Sequence, residues 1–264
     1  MFFNEFVYLL IFVFGVSVGS FLNCLIYRLE IGKKPTGNSF CPNCKHQLSV
    51  LDLVPILSYL LLRGKCRYCG ENISIQYPLV EFITGILFLS TAYHMELPVS
   101  LVEFIPFALV LIIFSLLMVV LIYDLKHFII PNKIIYPAIL TTLFLIAFNS
   151  FSEQSLQLFF NHLLTGGVSF LFFLAIYLIT KGKGIGFGDV RYAFFLGLFL
   201  GFPDGLVALF FSFIIGAIIG VILMIVGLKG RKDMIPFGPF LVVGTIIGFF
   251  FGEVLINLYL GFLI

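Results

Sequence analysis

Charge is what this chain has least of. Only 11% of its residues are Asp, Glu, Lys or Arg, and 61% are hydrophobic; a soluble domain carries roughly 25% charged and about 45–50% apolar residues. That scarcity excludes a water-soluble globular fold and marks an integral membrane protein, whose 35 Phe suit lipid contact. The common hydrolytic and nucleotide-binding signatures are missing too. There is no H-E-x-x-H for zinc proteolysis and no G-x-S-x-G nucleophile elbow. The glycine-rich run 184–189 lacks the Lys-Ser/Thr of a P-loop, and no βαβ unit surrounds it, so nucleotide binding has no support. No Rossmann-type fingerprint appears. A formal net charge of +2 says nothing by itself about partners, and no nucleic acid is expected among them. A basic n-region is also missing ahead of the first apolar stretch, 6–27: Glu5 precedes it, and basic residues follow from Arg28 onward. The stretch reads as an uncleaved anchor with its N-terminus outside.

What is there is a series of apolar runs long enough to cross a bilayer, about 17–25 residues each. They fall near 6–27, 79–95, 104–123, 134–150, 158–180, 205–228 and 238–260. A shorter run, 190–202, contains Gly197 and Gly201, which would allow close helix packing. Counting it gives eight crossings and an all-α polytopic fold. With eight spans and the N-terminus outside, the inner segments are 28–78, 124–133, 181–189 and 229–237. Every Lys and Arg then lies inside or at an inner span end, whereas the outer loops carry only Glu96, Glu103, Glu153 and Asp204. With seven spans, Lys229, Arg231 and Lys232 would be stranded outside, against the positive-inside rule.

Two carboxylates stand at span margins on the same, inner face. Asp124 closes one apolar segment, and Asp189 ends the loop Gly184-Ile185-Gly186-Phe187-Gly188-Asp189. Ionisable groups at such positions are costly and are functional by default. Asp124 could instead be an interfacial acid that caps the helix beginning near Ile134 or pairs with Lys126. Asp189 could be a helix N-cap after a flexible turn. The sharper reading joins them. Two carboxyls within hydrogen-bond distance do not both ionise easily, so one stays protonated as an acid while the other activates water. Glycines at 184, 186 and 188 would supply close backbone approach or positive φ around that acid. None of the four histidines has an evident catalytic partner; His127 lies near Asp124 in sequence and more simply faces headgroups.

The one sizeable segment outside the spans, 28–78, carries Cys41-Pro42-Asn43-Cys44 and Cys66-Arg67-Tyr68-Cys69. Paired C-x-x-C knuckles fit a four-thiolate zinc site. A segment this short has too little core to hold itself, and metal ligation would supply folding energy. Two disulfides or free thiols are the alternative, and an inner location argues against disulfides. His46 follows the first knuckle, but four cysteines already fill a tetrahedral shell. Cys24, within the first span, reads as a small buried side chain.

These residues resemble the bacterial prepilin peptidases, or type IV leader peptidases, membrane aspartic proteases of the Gly-x-Gly-Asp class. The resemblance covers nearly the whole chain. It is carried by Gly19-Ser20-Phe21-Leu22-Asn23 with Tyr27-Arg28, by the paired knuckles with Pro55-Ile56-Leu57-Ser58 and Leu61-Leu62-Arg63-Gly64 between them, and by Tyr77-Pro78-Leu79-Val80-Glu81. Asp124 with Pro131, Gly186-Phe187-Gly188-Asp189 and Ile235-Pro236-Phe237-Gly238-Pro239 complete it in the same order. The chain departs at Lys126 and Asn132, where many members carry acids, and at Arg191, where a Lys is common.

The resemblance implies Asp124 and Asp189 as the catalytic pair and Gly186, Phe187 and Gly188 as the active-site loop. It implies removal of a short basic leader from type IV pilin-like precursors, after a glycine and on the cytoplasmic side of the inner membrane. Methylation of the new N-terminal amine with S-adenosylmethionine would follow. The expected organisation is a first span over 1–27, a zinc-binding insert over 28–78 held by Cys41, Cys44, Cys66 and Cys69, and a peptidase region over 79–264. If methyl transfer occurs, the donor must bind a site built from the zinc module and adjoining span ends; the resemblance makes the cysteines and the Gly19–Asn23 region candidates only, and the donor-binding residues are unknown. Two other classes compete with this reading. A proton-coupled transporter would want carboxylates near mid-membrane and repeat symmetry, and a non-catalytic assembly scaffold would tolerate Asp-to-Asn changes.

Overall fold

The structure, a computed structural model, describes residues 2–34, 36–230 and 233–263. Met1, Pro35, Arg231, Lys232 and Ile264 lie outside the described residues, and with them two of the inner charges invoked above. Among the described residues the regular structure is helical: α1 (Phe2–Glu30), α2 (Leu57–Leu61), α3 (Gln76–His94), α4 (Leu101–His127), α5 (Asn132–Ser152), α6 (Leu156–Thr180), α7 (Phe187–Leu200), α8 (Asp204–Ile225) and α9 (Gly238–Leu263). Only a short 3-10 turn at Val50–Asp52 and two isolated bridges add to them.

All eight expected spans are helices, and six meet the length and composition needed to cross a membrane: α1, α4, α5, α6, α8 and α9. Apolar side chains stand exposed along them, as lipid contact requires, for example Phe160, Leu164, Val168 and Leu171 on α6 and Phe210, Ile214 and Ile218 on α8. The run 190–202 is the exception in length. Its helix α7 has 14 residues, about 21 Å at 1.5 Å per residue, against a hydrocarbon core of about 30 Å. Helix α3, with 19 residues, also falls outside the six.

The chain forms two compact units, 1–119 and 120–264. In the first, α1 packs along α3. The crossing is tight because it runs through glycine: a Cβ on Gly19 would stand 2.7 Å from the Glu81 Cα, and one on Gly15 would stand 2.9 Å from the Gly85 Cα. Phe88 and Ala92 of α3 continue the core with Phe107 and Leu111 of α4, flanked by Tyr8, Ile11 and Val18. The segment linking α1 to α3 holds the cysteines.

In the second unit α7 is the centre. It contacts α5, α6, α8 and α9, and Val190, Tyr192, Ala193, Phe195, Leu196 and Leu198 are fully buried. A helix apolar all round belongs inside a bundle, which is how a helix this short remains covered. Gly197 makes the expected close crossing: a Cβ there would meet the Thr165 carbonyl at 2.6 Å. Gly201 is crowded against α6 as well: a Cβ there would stand 2.9 Å from Asn161 Oδ1 and 3.0 Å from His162 Cε1. It also ends α7 at φ 70°, a conformation that glycine takes at no steric cost.

Candidate functional site

Helix α4 runs past the expected span end to His127, and Phe128 at φ 57° stops it. Pro131, which cannot extend a preceding helix, then precedes α5 as its N-cap. Asp124 therefore sits in the last turn of α4. It neither opens the loop nor caps α5. Its side chain is 4% exposed. The Gly238 amide at the start of α9 is directed at the carboxylate, but Oδ2 completes no hydrogen bond of normal geometry among the described residues. A buried carboxylate oxygen with no partner is rare, because the missing bond is not returned by water.

Asp189 lies in the first turn of α7, because the helix begins at Phe187 and not after the acid. Gly186 is the N-cap, three residues before the acid, so the alternative in which Asp189 is the cap is not realised. Its carboxylate reaches back and accepts the Gly186 N–H at 3.0 Å. This fixes the Asp189 side chain against the turn and satisfies an otherwise orphaned donor of the helix start. None of Gly184, Gly186 and Gly188 has positive φ; Gly184 and Gly188 work by close approach, with a Cβ on Gly184 standing 3.0 Å from Thr180 Cγ2, whereas one on Gly186 would meet only ordinary contacts. A Cβ on Gly188 would press on Ile130 Cβ at 3.2 Å, and one on Gly238 would stand 3.3 Å from Ile130 Cδ1 and 2.5 Å from Asp124 Oδ2. Ile130 thus fills the space between the starts of α7 and α9, with Asp124 beside it. Asp189 lies within electrostatic reach of Asp124. Two acids 65 positions apart in the chain are brought to one end of the second unit.

Neighbouring side chains tie the helix starts together. Arg191 donates to the Phe187 carbonyl at 3.3 Å and to Asn132 Oδ1 at the start of α5. Its guanidinium lies over the rings of Phe187, at 5.1 Å, and Tyr136, at 6.0 Å. Phe187 is half exposed and packs edge-on against Tyr177. The sequence offered Arg191 and Asn132 only as departures; that they touch each other needed the fold. Gly238 was likewise visible only as part of a matching motif, without a role.

The second candidate site lies in the first unit. Cys41, Cys44, Cys66 and Cys69 bring their Sγ atoms within 4.8 Å of one another, and Cys41 Sγ lies 3.9 Å from Cys69 Sγ. Four thiolates about 2.3 Å from one ion stand about 3.8 Å apart, so the cluster fits a tetrahedral metal site. All four thiols are free. The two knuckles are built alike. Cys41 N–H donates to the His46 carbonyl at 2.9 Å and Cys66 N–H to the Glu71 carbonyl at 2.8 Å. Each is closed by a bridge, Phe40 with Gln47 and Lys65 with Asn72. The left-handed residue four positions after the first cysteine is Lys45 in one and Gly70 in the other. His46 is not part of the cluster; its ring lies 3.7 Å from that of Tyr68 and joins the knuckles. Asp52 joins them as well, accepting from Ser49, Tyr68 and Arg67. Burial pushes the Asp52 carboxyl up, but the hydrogen bonds from Ser49, Tyr68 and Arg67 outweigh it and hold it down to about 2.

An all-helical membrane protein with a carboxylate pair at the ends of two helices and a four-cysteine cluster between spans is a narrow class. Residues 13–95 match the family described as bacterial peptidase A24 N-terminal domain, and residues 111–221 match the type IV leader peptidase family. The chain is 32% identical to the prepilin leader peptidase/N-methyltransferase of Bacillus subtilis (strain 168), covering 95% of this chain and 97% of the relative. It is 33% identical to the protein of that name in Legionella pneumophila, covering 97% and 96%, and 30% identical to that of Pseudomonas aeruginosa, covering 94% and 91%. No solved structure matches it. The chain belongs to the type IV leader peptidase family, the prepilin leader peptidase/N-methyltransferases.

Proposed function

We propose that Asp124 and Asp189 are the catalytic pair of a membrane aspartic endopeptidase that removes the leader from type IV pilin-like precursors. One observation carries this: the unpartnered, buried Oδ2 of Asp124 in electrostatic reach of Asp189, at the end of α4 and the start of α7. One carboxyl holds a proton and the other is ionised. The ionised carboxylate takes a proton from water as its oxygen attacks the scissile carbonyl, and the protonated carboxyl gives its proton to the departing amine. The products are a free leader carboxylate and a new N-terminal amine, and the pair has exchanged the position of its proton. Gly186, Phe187 and Gly188, expected as a loop, are the cap and first turn of α7, and they carry Asp189 to this place.

The distribution of Lys and Arg supports an inner-membrane protein with its N-terminus outside and both acids at the cytoplasmic face. That is the side on which a basic leader waits, and the precursor's apolar helix would lie in the bilayer beside the enzyme. We read the insert 28–78 as a zinc module held by Cys41, Cys44, Cys66 and Cys69. The ion would contribute folding energy to a segment with little core of its own. Purified protein is expected to hold about one zinc ion per chain, and Cys66→Ser to lose it; metal analysis of carefully handled protein that finds none refutes the assignment. The second reaction takes a methyl group from S-adenosylmethionine as co-substrate to the new amine, and the first unit, with its zinc module, is the part we assign to it.

The direct test is mass spectrometry of a pilin-like precursor co-expressed with this chain. The expected product begins just after a glycine and is one methyl group heavier than the unmodified mature chain. A precursor left at full length would refute the peptidase reading; a cleaved but never methylated product would refute the second activity alone.

A further inference from the structure

Three stretches of the first unit that the peptidase chemistry does not use meet at one buried junction. Asn23 of α1, 2% exposed, donates to the Tyr77 carbonyl at 3.0 Å and accepts from Gln76 at 3.2 Å, which pins the start of α3. Glu81, one turn further along α3, is 6% exposed. It accepts the Ile56 N–H on Oε2 at 2.7 Å and bonds the Ser20 side chain of α1. Among the described residues no lysine or arginine forms an ion pair with it. A bare carboxylate is a costly thing to bury, so its partner calls for an explanation.

That partner is strained. Ile56 has φ 61° and ψ −51°, and the Leu57 N–H reaches the Pro55 carbonyl at 2.6 Å. This is the positive-φ γ-turn, the rare and strained form. Ile56 is the only β-branched residue with positive φ among the described residues, and for such side chains the region is a genuine outlier. Strain of this kind persists only where its surroundings enforce it. The turn is also placed to matter. It starts α2, and α2 runs directly into the second cysteine knuckle, with Gly64 N–H bonded to the Tyr59 carbonyl at 2.8 Å and Lys65 N–H to the Leu62 carbonyl at 3.1 Å. Wherever Ile56 is held, Cys66 and Cys69 follow.

We propose that Glu81 is a positioning residue. It clamps the strained turn at Ile56 and so docks the cysteine module on the α1–α3 pair, in the placement that methyl transfer needs. Gly19 belongs to the same device, since any side chain there would drive α1 off Glu81. The proposal rests on the reading that the first unit serves methylation, and it assigns Glu81 no contact with substrate or methyl donor.

The test uses the full chain in membranes with a co-expressed precursor, reading leader removal and methylation separately by mass spectrometry and zinc content by metal analysis. Glu81→Leu leaves the Ile56 N–H without its acceptor. It is expected to lower the methylated fraction by about tenfold or more while leader removal and zinc content persist. Glu81→Gln keeps a carbonyl oxygen for that N–H and should retain methylation. Adding Ile56→Gly to Glu81→Leu should restore much of it, because glycine adopts the turn without needing a clamp. If Glu81→Gln fails as badly as Glu81→Leu, or if Ile56→Gly restores nothing, Glu81 acts through its charge and the clamp is wrong. Loss of leader removal in Glu81→Leu would overturn it as well. Cys66→Ser separates the underlying reading: if that variant loses zinc but still methylates, the assignment of methylation to the cysteine module falls, whatever Glu81 does.

Discussion

Asp189→Asn is expected to lower leader removal by about 10³-fold or more, within the range lost when a positioned acid or base is deleted. Asparagine matches aspartate in shape, and its carbonyl oxygen can still accept the Gly186 N–H that the carboxylate accepts at 3.0 Å. The first turn of α7 should therefore survive the change. What disappears is the capacity to take a proton from water or to return one to the leaving amine. Asp124→Asn should be equally inactive for the same reason. Neither should lose stability, since each removes one of two acids within reach of each other and, at Asp124, a buried charge with an unpartnered oxygen. Thermal unfolding in detergent at or above the wild-type temperature, together with loss of cleavage, is the combination that separates a catalytic pair from a structural one. Unimpaired processing by either variant would remove the pair from the mechanism and restore the scaffold reading.

Much of this was legible before any coordinates. Apolar runs set the eight helices, because a span must satisfy its backbone internally and helix is the simplest way to do so. The C-x-x-C spacing identified the four-cysteine cluster, because each knuckle is a local structure whose geometry depends on few distant residues. Helix ends were less legible. Asp124 was expected at a span margin and lies within the last turn of α4; Asp189 was expected to close a loop and lies within α7. Hydropathy reports where apolar side chains stop, whereas a helix continues until φ, a cap or a proline stops it, here Phe128 and Pro131. Contacts remote in sequence were not legible at all. Nothing in Ile56 announces a γ-turn clamped by Glu81, and nothing in Arg191 names Asn132 as its partner. Glycine spacing was more legible: Gly197 and Gly201, four residues apart, both press on α6, and only the second role of Gly201, ending α7 at φ 70°, lay outside what spacing shows.

Gly238→Ala is the sharper probe of the site, because it changes neither acid. The added methyl would stand 2.5 Å from Asp124 Oδ2 and 3.0 Å from Cγ, with Ile130 Cδ1 at 3.3 Å on its other side. Real Cβ atoms do not approach so closely, and Asp124, at 4% exposed, has little free space into which to turn. Either the carboxylate swings off its rotamer or the start of α9 moves away from the last turn of α4. Both displace Asp124 relative to Asp189 by something near an ångström, a misplacement that can reduce a rate by about 10²-fold. The fold should persist, since alanine is a better helix residue than glycine and the bundle around α7 is untouched. Gly167→Ala is the matched control: a Cβ there meets nothing within 4 Å, and activity should stay within about twofold, as for other open surface positions. A Gly238→Ala enzyme that cleaves at the wild-type rate while Asp124→Asn does not would mean that the carboxylate works from a position other than the one it occupies here, and that α9 must move before the reaction can begin.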